Sequence, residues 1–214
     1  MRLLAYITGM SLLGALCLLP ACREEGRAAD PQSRGAGDAG NAEPTSAEGV
    51  RARATIAGPP GSEIKGEVSF VELEGNAPVP GVRIEARITG PADRLAPGPH
   101  GIHIHETGNR GACVPPYQAA RGHFDPGPSG NPDPDVNHPF HLGDIPNLVV
   151  DEKGVGVMKA TTSRITLSPG PLTLFDADGS AIIVHEKPDQ GTPGAAKSGV
   201  SGGPRIACGV IQLQ

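Results

Sequence analysis

"GIHIHE", residues 101–106, sets two histidines one residue apart inside a β-branched run. In a strand, residues two apart share a face, so His103 and His105 project side by side while Ile102 and Ile104 point the other way. The isoleucines ask for a core, and the imidazoles ask for something on the opposite side. Two histidines presented in this way are half of a metal site. The plainer reading is a polar strand face, and the rest of the chain has to choose between the two.

Outward from this stretch the period-two alternation recurs. It predicts further strands at 51–57, 66–73, 81–90, 147–154, 154–161, 180–186 and 206–214, eight in all, with no helical periodicity beyond single turns. The 31 glycines and 23 prolines supply the turns, and there is no tryptophan. Short strands with turns between them read as an all-β sandwich or barrel. Two connections break the rhythm: 107–146, rich in Pro and His, and 187–204, rich in Gly and Ser. A segment as long as the first needs more than a core to hold it. Cys113 can staple its start and a metal can organise its middle.

The N-terminus reads as an export signal, with Arg2 ahead of the apolar run "LLAYITGMSLLGALCLL" and then "LPAC". A single-pass anchor is the competing reading. Leu19-Pro20-Ala21-Cys22 resembles a bacterial lipobox, which makes 1–21 the leader and Cys22 a lipidated N-terminus anchoring the protein to a membrane. Residues 23–49 contain no Val, Ile, Leu, Met or aromatic residue, so 22–49 is expected to be a flexible tether and 50–214 the folded domain. The expected location is periplasmic or elsewhere in the cell envelope. Only Cys113 and Cys208 then remain in the domain; in an oxidising compartment they are most simply a disulfide, the alternative being two buried thiols. A net charge of −5, with no basic stripe, argues against nucleic acid as a partner.

All seven histidines lie between residues 100 and 185, and six of them between 100 and 141, a clustering that favours metal binding over scattered surface positions. His103 and His105 share a strand face, His123 sits in "GHFDP", "HPFHLGD" holds His138, His141 and Asp144, and His185 ends a late strand. An all-nitrogen set suits copper, and histidines with one carboxylate suit tetrahedral zinc.

These residues resemble the copper/zinc superoxide dismutase family, in a bacterial exported lipoprotein form. The likeness is carried by "HGIHIHE" (100–106), "GHFDP" (122–126), "HLGDIPNL" (141–148), "IIVHEKPD" (182–189) and "PRIACGV" (204–210), in that order, and spans the domain from about residue 51. It implies a Greek-key β-sandwich or flattened eight-stranded barrel with two long functional loops. It also implies dismutation of superoxide by histidine-bound copper, with zinc as the second cofactor. On this reading His103, His105, His123 and His185 are the copper ligands, His123 bridges to zinc, and His141 and Asp144 complete much of the zinc site. Asp189 matches the carboxylate that orients a histidine of each metal, Arg205 the arginine beside the copper, and Cys113 with Cys208 the disulfide. Gly101 and Gly143 match structural glycines, Lys197 is a candidate outer guide for the anion, and His100 is expected to bond to backbone. A homodimer is compatible with the resemblance, although one chain does not reveal which surfaces pair.

One departure stands out. The family places its first zinc histidine eight or nine residues before the "H-x-G-D" histidine, where this chain has Pro132 and Asp133. His138 is the remaining imidazole, with Asp133 and Asp135 as weaker fallback ligands. The alternatives to the two-metal enzyme are a copper or zinc buffering protein on the same fold and a zinc-free, copper-only dismutase.

Overall fold

The computed structural model describes residues 48–214 apart from 76, 110 and 128–132. The expected leader, the lipidated Cys22 and nearly all of the tether lie outside the described residues. Among these residues nine strands follow one another: β1 (Glu48–Ala57), β2 (Lys65–Leu73), β3 (Val82–Thr89), β4 (Gly98–His100), β5 (Ile102–His105), β6 (Leu148–Val150), β7 (Val155–Thr162), β8 (Ala181–His185) and β9 (Arg205–Leu213). A 3-10 turn, Gln118–Ala120, interrupts the first long loop. Among the described residues no helix is long and apolar enough to cross a membrane.

All strands join one antiparallel sheet in the order β4-β6-β7-β3-β2-β1-β9-β8-β5. β4 and β5 occupy the two ends of that order, yet Gly101 alone separates them in sequence. The sheet therefore has to curl until its edges meet, which gives a nearly closed barrel. Alternation lines the interior: in β3, Val82, Ile84, Ala86 and Ile88 are buried while Arg83, Glu85 and Arg87 stand outward. They pack with Ala52, Ala54, Ile56, Val68, Phe70, Ile102, Ile104, Ile182 and Val184 in one core. Each fully buried Ile or Phe of this kind contributes about 1.5–3 kcal/mol.

β8 is buried on both faces. Ile182 and Val184 enter the main core, whereas Ala181 and Ile183 join Ala112, Tyr117, Ala120 and Cys208 in a second cluster beneath the 107–146 loop. The Cys113–Cys208 disulfide pins that loop to β9 across 95 residues of sequence. Closing a loop of this length stabilises by about 4–5 kcal/mol in the chain-entropy account. The outer face of β5 and β8, which carries His103, His105 and His185, is thus roofed rather than left to water.

The strand expectations differ from the structure in three places. Gly98–His100 pairs with Leu148–Val150 as β4, but three residues with a central proline carry no alternation to read. The strand expected over 147–154 stops at Val150, because the Asp151 carboxylate accepts from the Lys153 and Val155 N–H groups and Gly154 turns at φ 73. A third long connection, 163–180, joins β7 to β8 besides the two foreseen.

Candidate metal centre

β5 presents His103 and His105 on its loop-facing side, opposite Ile183 and Ala181 of β8. The edge of β5 that no strand occupies is paired instead by two returns of the 107–146 loop, through bridges His105↔His123 and His103↔Asp144. Ile104 N–H donates to the Gly143 carbonyl at 3.0 Å, and the Ile104 carbonyl accepts from Phe124 N–H at 2.8 Å. Gly143 is required here by space: a Cβ would stand 2.2 Å from the Ile104 oxygen. A register shift at the end of β8 sets His185 against Arg205 of β9.

Among the described residues two four-membered clusters of ligand atoms result, each lying within 4.8 Å: His103, His105, His123 and His185, and His123, His138, His141 and Asp144. His123 belongs to both. The five histidines His103, His105, His123, His138 and His185 follow one pattern, with one ring nitrogen tied to an oxygen and the other making no hydrogen bond. His103 Nε2 faces Asp189 Oδ2 at 3.0 Å, His105 Nδ1 the Arg121 carbonyl at 2.9 Å, and His185 Nδ1 the Gly203 carbonyl at 2.9 Å. His123 Nδ1 faces Asp144 Oδ1 and His138 Nε2 faces Asp189 Oδ1, both at 2.6 Å. The opposite nitrogens, His103 Nδ1, His105 Nε2, His123 Nε2, His138 Nδ1 and His185 Nε2, are buried without a hydrogen-bond partner. In a neutral ring the nitrogen opposite a donating N–H carries the lone pair and is poised to coordinate; His138 Nδ1, 3.3 Å from Asp144 Oδ1, would coordinate on giving up its proton.

The two halves differ in charge. Burial, with the neighbouring His123, holds His103 down at about 4; burial likewise holds His123 at about 4 and, with His103, His185 at about 3. His105 is pushed well down by burial, by the neighbouring His123 and by Arg205. These four stay neutral near pH 7, the state in which imidazole is a ligand. Burial also pulls on His138, but Asp144 and Asp189 outweigh it and raise that ring to about 9. Although burial pushes Asp144 and Asp189 upward, their histidine hydrogen bonds hold both well below the usual carboxylate range. One half is therefore a neutral four-nitrogen set, and the other carries a carboxylate whose charge the His138 proton offsets and a bound cation would take over. Four nitrogens are the donor set that suits copper, and three histidines with an aspartate the set that suits zinc.

The structure also locates the remaining expected residues. His138, despite its spacing, stands with His123, His141 and Asp144. Asp133 and Asp135 are engaged elsewhere: Asp135 accepts from Gly199 N–H, Ser201 N–H and Ser201 Oγ, and Asp133 from Lys197 N–H, so together they clasp the 187–204 loop. His100 bonds to the carbonyls of Ala96 and His185. Arg205 donates to the Tyr117 carbonyl at 2.7 Å and the Arg121 carbonyl at 2.5 Å. With His185, Lys197, Arg121 and Glu106 it lines a cavity of about 640 Å³ that opens to solvent above the four-histidine set. Sequence reasoning missed Asn147, whose amide exchanges two hydrogen bonds with the Asp189 backbone, both 2.9 Å, and Arg164, which donates to the His141 carbonyl. "PNL" in the resemblance pointed at Asn147; nothing local pointed at Arg164.

Comparison with known proteins agrees with this chemistry. The family model for copper/zinc superoxide dismutase matches residues 64–211. A Cu-Zn superoxide dismutase of Deinococcus radiodurans is 37% identical over 158 residues, covering 69% of this chain and 79% of that protein. A Cu-Zn superoxide dismutase 2 of Aquifex aeolicus is 33% identical over 154 residues, covering 70% and 80%. Among solved structures, the crystal structure of the clock protein EA4 superposes with a TM-score of 0.58 at 28% identity, covering 77% of this chain and 94% of that one.

Proposed function

The chain belongs to the copper/zinc superoxide dismutase family, whose reaction converts two superoxide ions and two protons to dioxygen and hydrogen peroxide, and we propose the residues by which it does so. His103, His105, His123 and His185 hold copper, and His123, His138, His141 and Asp144 hold zinc, with His123 shared. Copper supplies the one-electron redox couple and zinc a fixed positive charge. The observation that carries the assignment is the set of buried, partnerless nitrogens of His103, His105, His123 and His185 brought together in one place, beside a second group of ligand atoms from His123, His138, His141 and Asp144 gathered within 4.8 Å.

The protein's own groups do the rest. Asp189 orients one ring in each half, and Asn147 in turn fixes the Asp189 backbone. Arg205, held rigid by two carbonyls at the cavity floor, offers a guanidinium to a small univalent anion entering above His185. His123 Nε2 is the atom at which a proton can be held for the reduced oxygen species, while Nδ1 remains on the Asp144 side. Storage of a metal asks for neither an anion site nor a shared histidine, which is why turnover is favoured over buffering.

The test is copper and zinc content per chain, with a dismutation assay, on the metal-loaded protein and on His138→Ala. Near-equal copper and zinc with activity, and zinc lost in the variant, is the expected result. Active protein containing copper alone would overturn the zinc assignment, and loaded but inactive protein the catalytic one.

Export and anchoring through lipidated Cys22 form a second part of the proposal. It rests on "LPAC" and is supported by the Cys113–Cys208 disulfide, which an oxidising compartment preserves. Mass spectrometry of the mature N-terminus should find an acylated Cys22, and Cys22→Ser should release the protein from membranes.

A further inference from the structure

The cavity over the four-histidine set holds its charges in near balance. Arg205, Arg121 and Lys197 line it, against Glu106, Asp133 and Asp135. The two aspartates are turned to backbone N–H groups of the 187–204 loop, but they remain anions. Arg205 is half-buried at the floor, whereas Arg121 and Lys197 are exposed at the rim. The chain as a whole carries −5. Without Arg121 the entrance would add a negative excess to a negative molecule, a field that repels superoxide.

Arg121 also stands where its backbone disfavours any side chain. It has φ 62 and ψ −145, a combination essentially reserved for glycine. The carbonyl thus aimed serves His105 Nδ1 and Arg205 together, and a glycine could aim it without strain. The arginine side chain contributes nothing to that task, so its place at the rim calls for another role.

We propose that Arg121 is a second anion guide, drawing superoxide into the cavity from the rim toward Arg205; the proposal rests on the dismutase reading and adds a positioning residue to it. The test compares Arg121→Gly, Arg121→Ala and Arg121→Lys in the metal-loaded protein. At about 0.01 M ionic strength, where screening extends about 30 Å, the Gly and Ala variants should lose about two- to threefold in kcat/KM. The loss should shrink toward 0.15 M, and Lys should restore the rate. The dissociation constant of azide, read from the copper absorption band, should rise by a similar factor in the Gly and Ala variants. In metal-free protein, Arg121→Gly should melt about 2 °C or more above Arg121→Ala, since glycine relieves the backbone.

Gly and Ala variants equal to wild type in rate and azide affinity at low salt overturn the proposal. So does a loss that Lys does not restore or that salt does not diminish, since the residue would then act through its carbonyl alone. A Gly variant no more stable than Ala overturns the claim that the arginine is kept against its backbone. If the wild type holds both metals and fails to dismutate, the dismutase reading falls, and azide affinity still decides whether Arg121 guides anions.

Discussion

Asp189 sends one carboxylate oxygen to each half of the centre, Oδ2 to His103 and Oδ1 to His138. A single side chain thereby fixes the orientation of a ring in the four-nitrogen set and of one in the carboxylate-bearing set. Asp189→Asn keeps the shape but removes the charge and one acceptor. It should lower affinity for both metals by about 10–100-fold, the usual effect of losing such a partner, as read by competition with a chelator. Unchanged affinity in either half would show that packing alone orients that ring. At this scale the sequence was legible wherever a residue sits in a motif, as His103, His105, His123, His185, Asp189 and Arg205 do. His138 was harder, because an unusual spacing says only that an imidazole is nearby. Its place beside Asp144 depends on the path of the loop, and no spacing rule describes that path.

At the scale of elements, the centre depends on β5 having its open edge filled by loop. Gly143 makes this possible, since any Cβ there would strike the Ile104 oxygen. Gly143→Ala should destabilise the metal-free domain by about 1–3 kcal/mol, the range for forced overpacking. Gly75→Ala, where a Cβ meets nothing within 4 Å, is the control expected to stay near wild type; thermal unfolding of both variants separates them. On the far side of the barrel, Glu72 of β2 is buried and ties down the 163–180 connection through Leu167 N–H at 2.5 Å, Ser168 N–H at 2.9 Å and Ser168 Oγ. Burial pushes its carboxyl up, but these bonds outweigh that and leave it lowered. A carboxyl lower in the folded than the unfolded state contributes stability above its unfolded value of about 4.3 and loses it as pH falls below. Glu72→Gln should therefore cost about 1–3 kcal/mol at pH 7 and show a shallower acid decline than wild type in denaturant melts at pH 7 and pH 4. Alternation made most strands readable. Glu72 escaped notice because a glutamate in a strand reads as solvent-facing until its partners, nearly a hundred residues away, are known.

For the whole molecule, the histidine cluster dictates how metal-free protein responds to pH. His103 and His123 are held at about 4 and His185 at about 3, below the ordinary value of 6.5. Below 6.5 the unfolded chain takes up protons that the folded chain refuses, so stability falls as pH drops toward 4. His138, raised to about 9, has the opposite sign: its contribution is complete below 6.5 and fades as pH rises through 9. With His105, also pushed well down, four groups oppose one, so the melting temperature of metal-free protein should peak near pH 6.5 and fall more steeply on the acid side. A flat acid limb down to pH 4 would mean that the histidines are not held neutral. On its own, the sequence determined the all-β class, the core faces of most strands, the family and most of the candidate ligands, because side-chain alternation and short motifs are local properties of a chain. It also determined that Cys113 and Cys208 were the pair to expect. Only the tertiary structure decided that β4 and β5 bring the sheet's two edges together, that His138 stands in the ring left by the missing histidine, and that Asp133 and Asp135 clasp a loop. Those outcomes depend on how segments far apart in sequence share one small volume, and that is settled by closure of the barrel and packing of its loops.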